Sequence, residues 1–187
     1  VDNPHRLAAG FLSLPENAHL RSYQEDFIRW RDGAYHEVRA SDVKTWLNGW
    51  INSEFLAHHA IAMQQFARSA DEGDNPPKLH PVTVPLVNNV VAAARSLRHI
   101  NSSVESPSWI DGCTGPDPNS LVACRNGLYC LTTGQLLPPS PGFFTFSAAP
   151  FEYDANAPAP AAWLRFLTDI WGDDRESIEA LQEWFGY

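Results

Sequence analysis

The sequence lacks the loops by which many phosphate-handling and hydrolytic enzymes are found. It has no G-x-x-x-x-G-K-[ST], no G-x-G-x-x-G and no G-x-S-x-G. Cysteine is scarce and odd in number, three in 187 residues, which argues against a disulfide framework and for a reducing compartment. No apolar run approaches the ~20 residues of a membrane span, and VDNPHRLAAG has no charged-then-apolar signal pattern. Met63 is the one methionine and no Met opens the chain, so the chain reads as a piece of a longer protein. Positive charge is also short, 13 Lys and Arg against 22 Asp and Glu, for a net charge of −9. Such a chain is a poor duplex-DNA binder as a whole, because phosphate binding needs surplus cations. Two local basic clusters remain: Arg29 and Arg31 around Trp30, and Arg95 with Arg98 one helical turn on. A solvated face accounts for either.

What is present is a folding composition: 44% apolar, 12% aromatic, seven Trp. The length allows one large domain or two small ones. In DFIRWRDGAYHEV, apolar and aromatic residues flank Asp32-Gly33, a strong hairpin signal. Val43, Trp46, Leu47, Trp50 and Ile51 then fall on one helical stripe, with Ser41 as the expected N-cap. A second helical stretch covers about 54–69, and DEGDNPPK at 71–78 reads as a loop. Pro85 suits the start of a helix burying Leu86, Val87, Val90, Val91, Ala94 and Leu97. Residues 101–119 read as a long irregular connection, and 143–154 alternate like a strand. Two closing helices follow. One buries Trp163, Leu164, Phe166, Leu167 and Ile170 and stops at Gly172; the other is capped by Asp173 and presents Ile178, Leu181, Trp184 and Phe185.

Three groups of residues could carry chemistry. With Asn126-Gly127 as the central pair of a turn, Arg125 faces Leu128, Cys124 faces Tyr129 and Ala123 faces Cys130. Side chains alternate along strands, so Cys124 and Cys130 point to opposite faces and cannot share a disulfide or a zinc. Cys113 alone completes no site. His58 and His59 are adjacent on a helix, about 100° apart, and lack the His-Glu-x-x-His spacing of a zinc hydrolase; a surface pair of His58 with Glu54 is the expected arrangement. Glu152 and Asp154 alternate within PFEYDAN and so share a strand face, the spacing by which acids hold magnesium. They have no third carboxylate, His or Lys beside them, and Asp154 and Asn156 equally suit a turn. No metal or cofactor site is therefore assigned, and a binding or assembly module is the expected class.

The last third carries a more specific signal. Asn126-Gly127, Thr133-Gly134, Pro138 to Pro141, Pro150-Phe151 with Tyr153-Asp154, then Pro160 with Trp163, Phe166 and Leu167, and Leu181-Gln182 with Gly186-Tyr187, follow one another in a distinctive order over about seventy residues. In this the chain resembles the phage/plasmid primase-helicase family, whose relatives include the poxvirus primase-helicase. FIRWRDGAYHEVRASDVKTWLNGW and VPLVNNVVAAARSL resemble earlier parts of that family more loosely. The resemblance implies a collar or linker between an N-terminal primase and a C-terminal superfamily 3 helicase. For the parent it implies ATP, magnesium and DNA unwinding, a hexameric homo-oligomer, and a cytoplasmic setting in a bacterial or phage-infected host. None of that chemistry is implied for these residues.

The expected fold is α+β, mainly helical with short antiparallel hairpins, in two subdomains, 1–104 and 105–187. The expected function is a non-catalytic domain of a replication primase-helicase that helps assemble or position helicase and primase on DNA. Trp184, Phe185 and Tyr187 are its candidate helicase or oligomer interface. The alternative is a single-stranded DNA module using Arg29, Trp30, Arg31 and Tyr35, since aromatics between cations suit base stacking. A stand-alone magnesium-dependent nucleotidyl transferase through Asp154 is the third reading.

Overall fold

The computed structural model describes residues 3–69 and 74–186. Among these, five α-helices and small antiparallel sheets make the expected α+β fold. Contacts divide the chain into two compact units, Val1–Tyr153 and Asp154–Tyr187. The compositional junction at 104/105 lies inside the first unit. There the Tyr23 hydroxyl donates to Val104 O at 2.8 Å, and Arg21 Nη2 to Asp111 Oδ2 at 2.7 Å.

Helix α1 (Pro4–Leu12) opens the described chain. The Asn3 side chain accepts from the His5 and Arg6 amides at 2.9 and 3.1 Å, satisfying two donors that a helix start leaves free. Leu7, Ala8, Phe11 and Leu12 are buried. The two stretches expected after Ser41 form one helix, α2 (Ala40–Ser69), of 30 residues. Gly49 does not interrupt it. Ser41 lies within the helix instead of capping it, its hydroxyl 3.3 Å from Asp42 Oδ1. Val43, Leu47, Ile51 and Phe55 form its buried stripe, whereas Trp46 is 39% exposed. Of the loop expected at 71–78, residues 71–73 lie outside the described residues and 74–78 have no regular structure. Thr83 caps α3 (Val84–Leu97), its hydroxyl accepting from the Leu86 amide at 3.4 Å. Val87, Val90, Ala93 and Ala94 face the core; Leu97, expected there, is 47% exposed because the helix ends as it turns outward. These helices share one core with Leu20 and Phe27 of the first sheet.

That sheet is β1 (Leu20–Tyr23), β2 (Asp26–Arg31) and β3 (Ala34–Val38), all antiparallel. Asp32 and Gly33 form the expected two-residue turn with φ of 53° and 90°, which matches the twist of the flanking strands. A two-stranded piece pairs β4 (Ser108–Trp109) with β8 (Phe143–Phe144). The third sheet is β5 (Leu121–Cys124), β6 (Gly127–Cys130) and β7 (Gln135–Leu137). Its first turn differs from expectation by one residue: Cys124 pairs with Gly127 and Ala123 with Leu128, so Arg125 and Asn126 are the central pair. Gly127 serves a close approach instead of a positive φ, since a Cβ there would lie 2.3 Å from Leu137 O. The strand expected over 143–154 is also shorter. Only Phe143–Phe144 pair as a strand, with one further bridge from Ala149 to Cys124.

The second unit contains α4 (Ala161–Trp171) and α5 (Arg175–Gly186). Gly172 ends α4 with φ 58°, its amide donating to Thr168 O at 2.8 Å. The cap of α5 is Asp174, one residue after the expected Asp173. Its carboxylate accepts from the Ser177 amide at 3.2 Å and from the Ser177 hydroxyl at 2.8 Å. The Ser177 hydroxyl, followed by its amide, holds that carboxyl below the usual aspartate range. Among the described residues no helix is long and apolar enough to cross a membrane.

Candidate interaction surfaces

The helical period in α4 and α5 places aromatic and aliphatic residues on shared faces, and most of them meet solvent. Leu167 is buried at 1% exposure, but Leu164, Phe166 and Ile170 of the same expected core face are exposed. Trp184 is 75% exposed and Phe185 66%. The rings contact one another: Trp163 stacks on Phe166 with centroids 5.5 Å apart and meets Phe185 edge-on at 5.8 Å. Trp184 and Phe185 meet at 5.9 Å. Charge lies around this face, with Arg165 Nε 3.9 Å from Asp169 Oδ2. An aromatic centre with a charged rim has the composition of a protein interface. Tyr187, the third candidate here, lies outside the described residues.

The four hairpin residues are not brought together as a stacking surface. Tyr35 is 1% exposed; its hydroxyl donates to Pro141 O at 2.6 Å and its ring meets Phe144 edge-on at 5.7 Å. Trp30 is half-buried beside that same core. Arg31 is exposed and lies 3.7 Å from Asp32. Arg29 turns to α2, with its guanidinium carbon 4.6 Å over the Trp46 ring. Register explains the split: Trp30 is opposite Tyr35 and shares its core-facing side, while Arg29 and Arg31 project from the other.

The cysteine hairpin keeps its two thiols apart despite the turn shift, because moving the turn by one residue changes each partner by two and preserves the face. Cys130 packs with Leu121, Ala123, Leu128 and Phe143; Cys124 lies on the other face. All three cysteines are free. Burial pushes the Cys124 thiol up. Hydroxyl donors from Thr132 and then Thr133 bring Cys130 down to about 6, with Sγ 3.1 Å from Thr132 Oγ1. At 1% exposure, however, exclusion of reagent and not acidity governs its reactivity. The folded protein should accordingly take up one equivalent of maleimide quickly, at exposed Cys113. Mass spectrometry should place label on Cys124 and Cys130 only after denaturation, and prompt native labelling of either would contradict this packing. Asn126 does more than turn the chain. Its Nδ2 donates to Tyr153 O and its Oδ1 accepts from the Tyr153 amide, both at 2.9 Å, so one side chain takes the place of a strand partner for residue 153.

His58 pairs with Glu54 at 3.3 Å, the arrangement expected one helical turn apart. His59 Nε2–H donates instead to Pro77 O at 3.1 Å. Glu152 and Asp154 do not share a strand face, since no strand extends to them. The Asp154 carboxylate accepts from the Asn156 amide at 2.8 Å, which is turn chemistry. Among the described residues no three His, Cys, Asp or Glu side chains converge on a common point.

Residues 85–172 match the family described as D5 N terminal like. No curated protein matches the chain. The matched segment runs from Pro85 through the α3 helix and both later sheets to Gly172, and so contains the NGLYC, TTG and PFEYD markers. The hairpin at Asp32-Gly33 and all of α5 lie outside it. Residues 85–172, just under half of the chain, are thus similar to the D5 N-terminal-like region of phage and poxvirus primase-helicases, and the match supports membership in that family of replication proteins.

Proposed function

We propose that this region is a non-catalytic adaptor of a replication primase-helicase, and that the aromatic face of α4 and α5 docks the superfamily 3 helicase of the same protein. The observation that carries the reading is the exposure of Trp184 and Phe185, with Leu164, Phe166 and Ile170 on the neighbouring helix. An apolar surface gains roughly 25 cal/mol per Å² when covered, and large exposed aromatics are the residues that dominate interfaces. The primase-helicase resemblance puts a helicase after this segment, which makes that domain the occupant of first choice. A second copy of this chain is the other occupant, and the two give different results.

The test mixes the chain with the separately expressed helicase domain and follows complex mass by light scattering. Association with the wild type, weakened at least tenfold by the double change Trp184→Ser and Phe185→Ser, supports the docking reading. Both residues are exposed, so circular dichroism should show the helices retained. Self-association of the chain alone, abolished by the same change, would assign the face to a second copy. Equal association of both forms with the helicase would remove this face from the account.

A further inference from the structure

A cavity of about 570 Å³ lies between α1, β2 and α2 in the first unit. Its walls are aromatic on three sides, Phe11, Trp46 and Trp50, with Arg29, Asn17 and Glu16 supplying polar groups. The residues come from segments far apart in sequence and are held rigidly. Trp50 is seated against Gly10, where a Cβ would fall 2.8 Å from the ring, and meets Phe11 at 6.1 Å with planes 64° apart. Asn17 is 3% exposed; its amide donates to Phe11 O at 3.1 Å and its carbonyl accepts from Arg29 Nη2 at 3.0 Å. That bond holds the guanidinium over one face of Trp46, and 39% of Trp46 remains open to solvent. On the cavity side of α2, Gly49 leaves free space, with nothing within 4 Å of where a Cβ would stand.

Two groups in the cavity have unused hydrogen-bonding capacity. Arg29 Nε is buried and has no partner, and an unmet buried donor calls for an acceptor that the chain itself does not provide. Glu16 is exposed at the wall and accepts through its carboxylate. Burial lowers the Arg29 pKa and the Glu16 charge opposes that. The fitting ligand is therefore flat, stacks on indole, and carries acceptors and donors on one edge. A saturated sugar packs on indole only through its C–H face and offers no planar hydrogen-bonding edge, an aliphatic chain offers no polar edge at all, and phosphate alone would leave the aromatic walls unfilled and face Glu16. A nucleobase meets all three requirements.

We propose that this cavity binds a single unstacked nucleobase against Trp46 and Trp50, with Arg29 and Glu16 reading its edge. The base comes either from a free nucleotide or from a single strand. This reading is independent of helicase docking by α4 and α5, and either can fail alone. It also fits the net charge of −9. Stacking does not need the cation surplus that backbone binding does, so affinity should depend only weakly on salt.

The test is a pair of titrations of the full chain, one with nucleoside monophosphates followed by calorimetry, one with a short labelled oligo-dT followed by anisotropy. Binding in either arm is expected, and the arm that binds more tightly identifies the source. Trp46→Ala should weaken it about tenfold, while Phe151→Ala, at an exposed ring of the same unit outside the cavity, should leave it unchanged. Between about 50 and 200 mM salt the affinity should fall less than about fourfold, the change for one phosphate contact. Arg29→Lys, which keeps the charge but loses the planar fork, should also weaken binding. No binding in either arm, undiminished binding by a folded Trp46→Ala protein, or a steep salt dependence would each overturn the proposal.

Discussion

Tyr35→Ala should lower the stability of the first unit by about 4 kcal/mol, the scale of removing a buried aromatic side chain. Tyr35→Phe should cost about 1–2 kcal/mol, because the ring contact with Phe144 survives but Pro141 O loses its donor. Denaturant titration with an unchanged slope would measure both. The hydroxyl also predicts a pH effect. Burial, the largest cause, pushes the Tyr35 pKa up to about 12; Arg21 opposes it and Asp111 reinforces it. The folded value lies above the unfolded one, so the contribution is intact below about pH 10. It is lost as pH rises toward 12, because the unfolded chain releases its proton first. At about 1.4 kcal/mol per pH unit, this tyrosine alone removes about 2–3 kcal/mol across that window. The Tyr35→Phe protein should lack that component. Identical alkaline profiles for the two proteins would show that the phenol is not buried as described. The same experiment bears on DNA contact: a ring needed by the core cannot also be presented to a base.

Gly127→Ala should be nearly as damaging, about 3 kcal/mol, although it adds a single methyl group. The new Cβ would lie 2.3 Å from Leu137 O and 3.0 Å from Leu136 Cδ1. The nearest obstacle is backbone, so β7 must move and its bonds to β6 suffer. Gly49→Ala is the matched comparison. It sits in mid-helix with open space around its Cβ position, and alanine there should stabilise by about 1 kcal/mol. The two changes should therefore shift the thermal midpoint in opposite directions. Loss of amide-exchange protection in the Gly127 variant should concentrate on Leu128 to Leu137. A neutral Gly127→Ala would mean that the third sheet is more loosely joined than its register indicates.

How far the sequence carried depended on whether a signal was local. Asp32-Gly33 was legible because its turn needs positive φ at both positions, and few residue types supply that. Asn126-Gly127 resembles it, yet the central pair is Arg125-Asn126, one residue earlier. The glycine answers to Leu137, ten residues on, and the asparagine to Tyr153, twenty-seven on. The α4 and α5 helices were legible from their period, yet burial was not: periodicity shows that one face is apolar and says nothing of what covers it. Helix α1 is absent from the expected elements, though Asn3-Pro4 followed by Leu7, Ala8, Phe11 and Leu12 carries both a cap and a stripe. The aromatic cavity could not have been read, since Phe11, Arg29 and Trp46 meet only after three elements pack. In sequence Trp46 lies on the apolar stripe of its helix and Arg29 beside Trp30 and Arg31, and neither local pattern points to the other.

The tip of the Asp32-Gly33 hairpin has a consequence for anyone altering this protein. Gly33 is buried, and a Cβ there would lie 2.7 Å from Cys124 O. Two hairpins thus touch end to end: Asp32 is exposed, but the Gly33 side of the turn is packed against the second hairpin. A tag, linker or circular-permutation break placed there would split two sheets at once. Gln24 and Glu25, at the other end of β2, are exposed at a turn with φ of 47° and 72°. That turn, a single strand away from a site of equal apparent simplicity, is the place where added chain has room to leave.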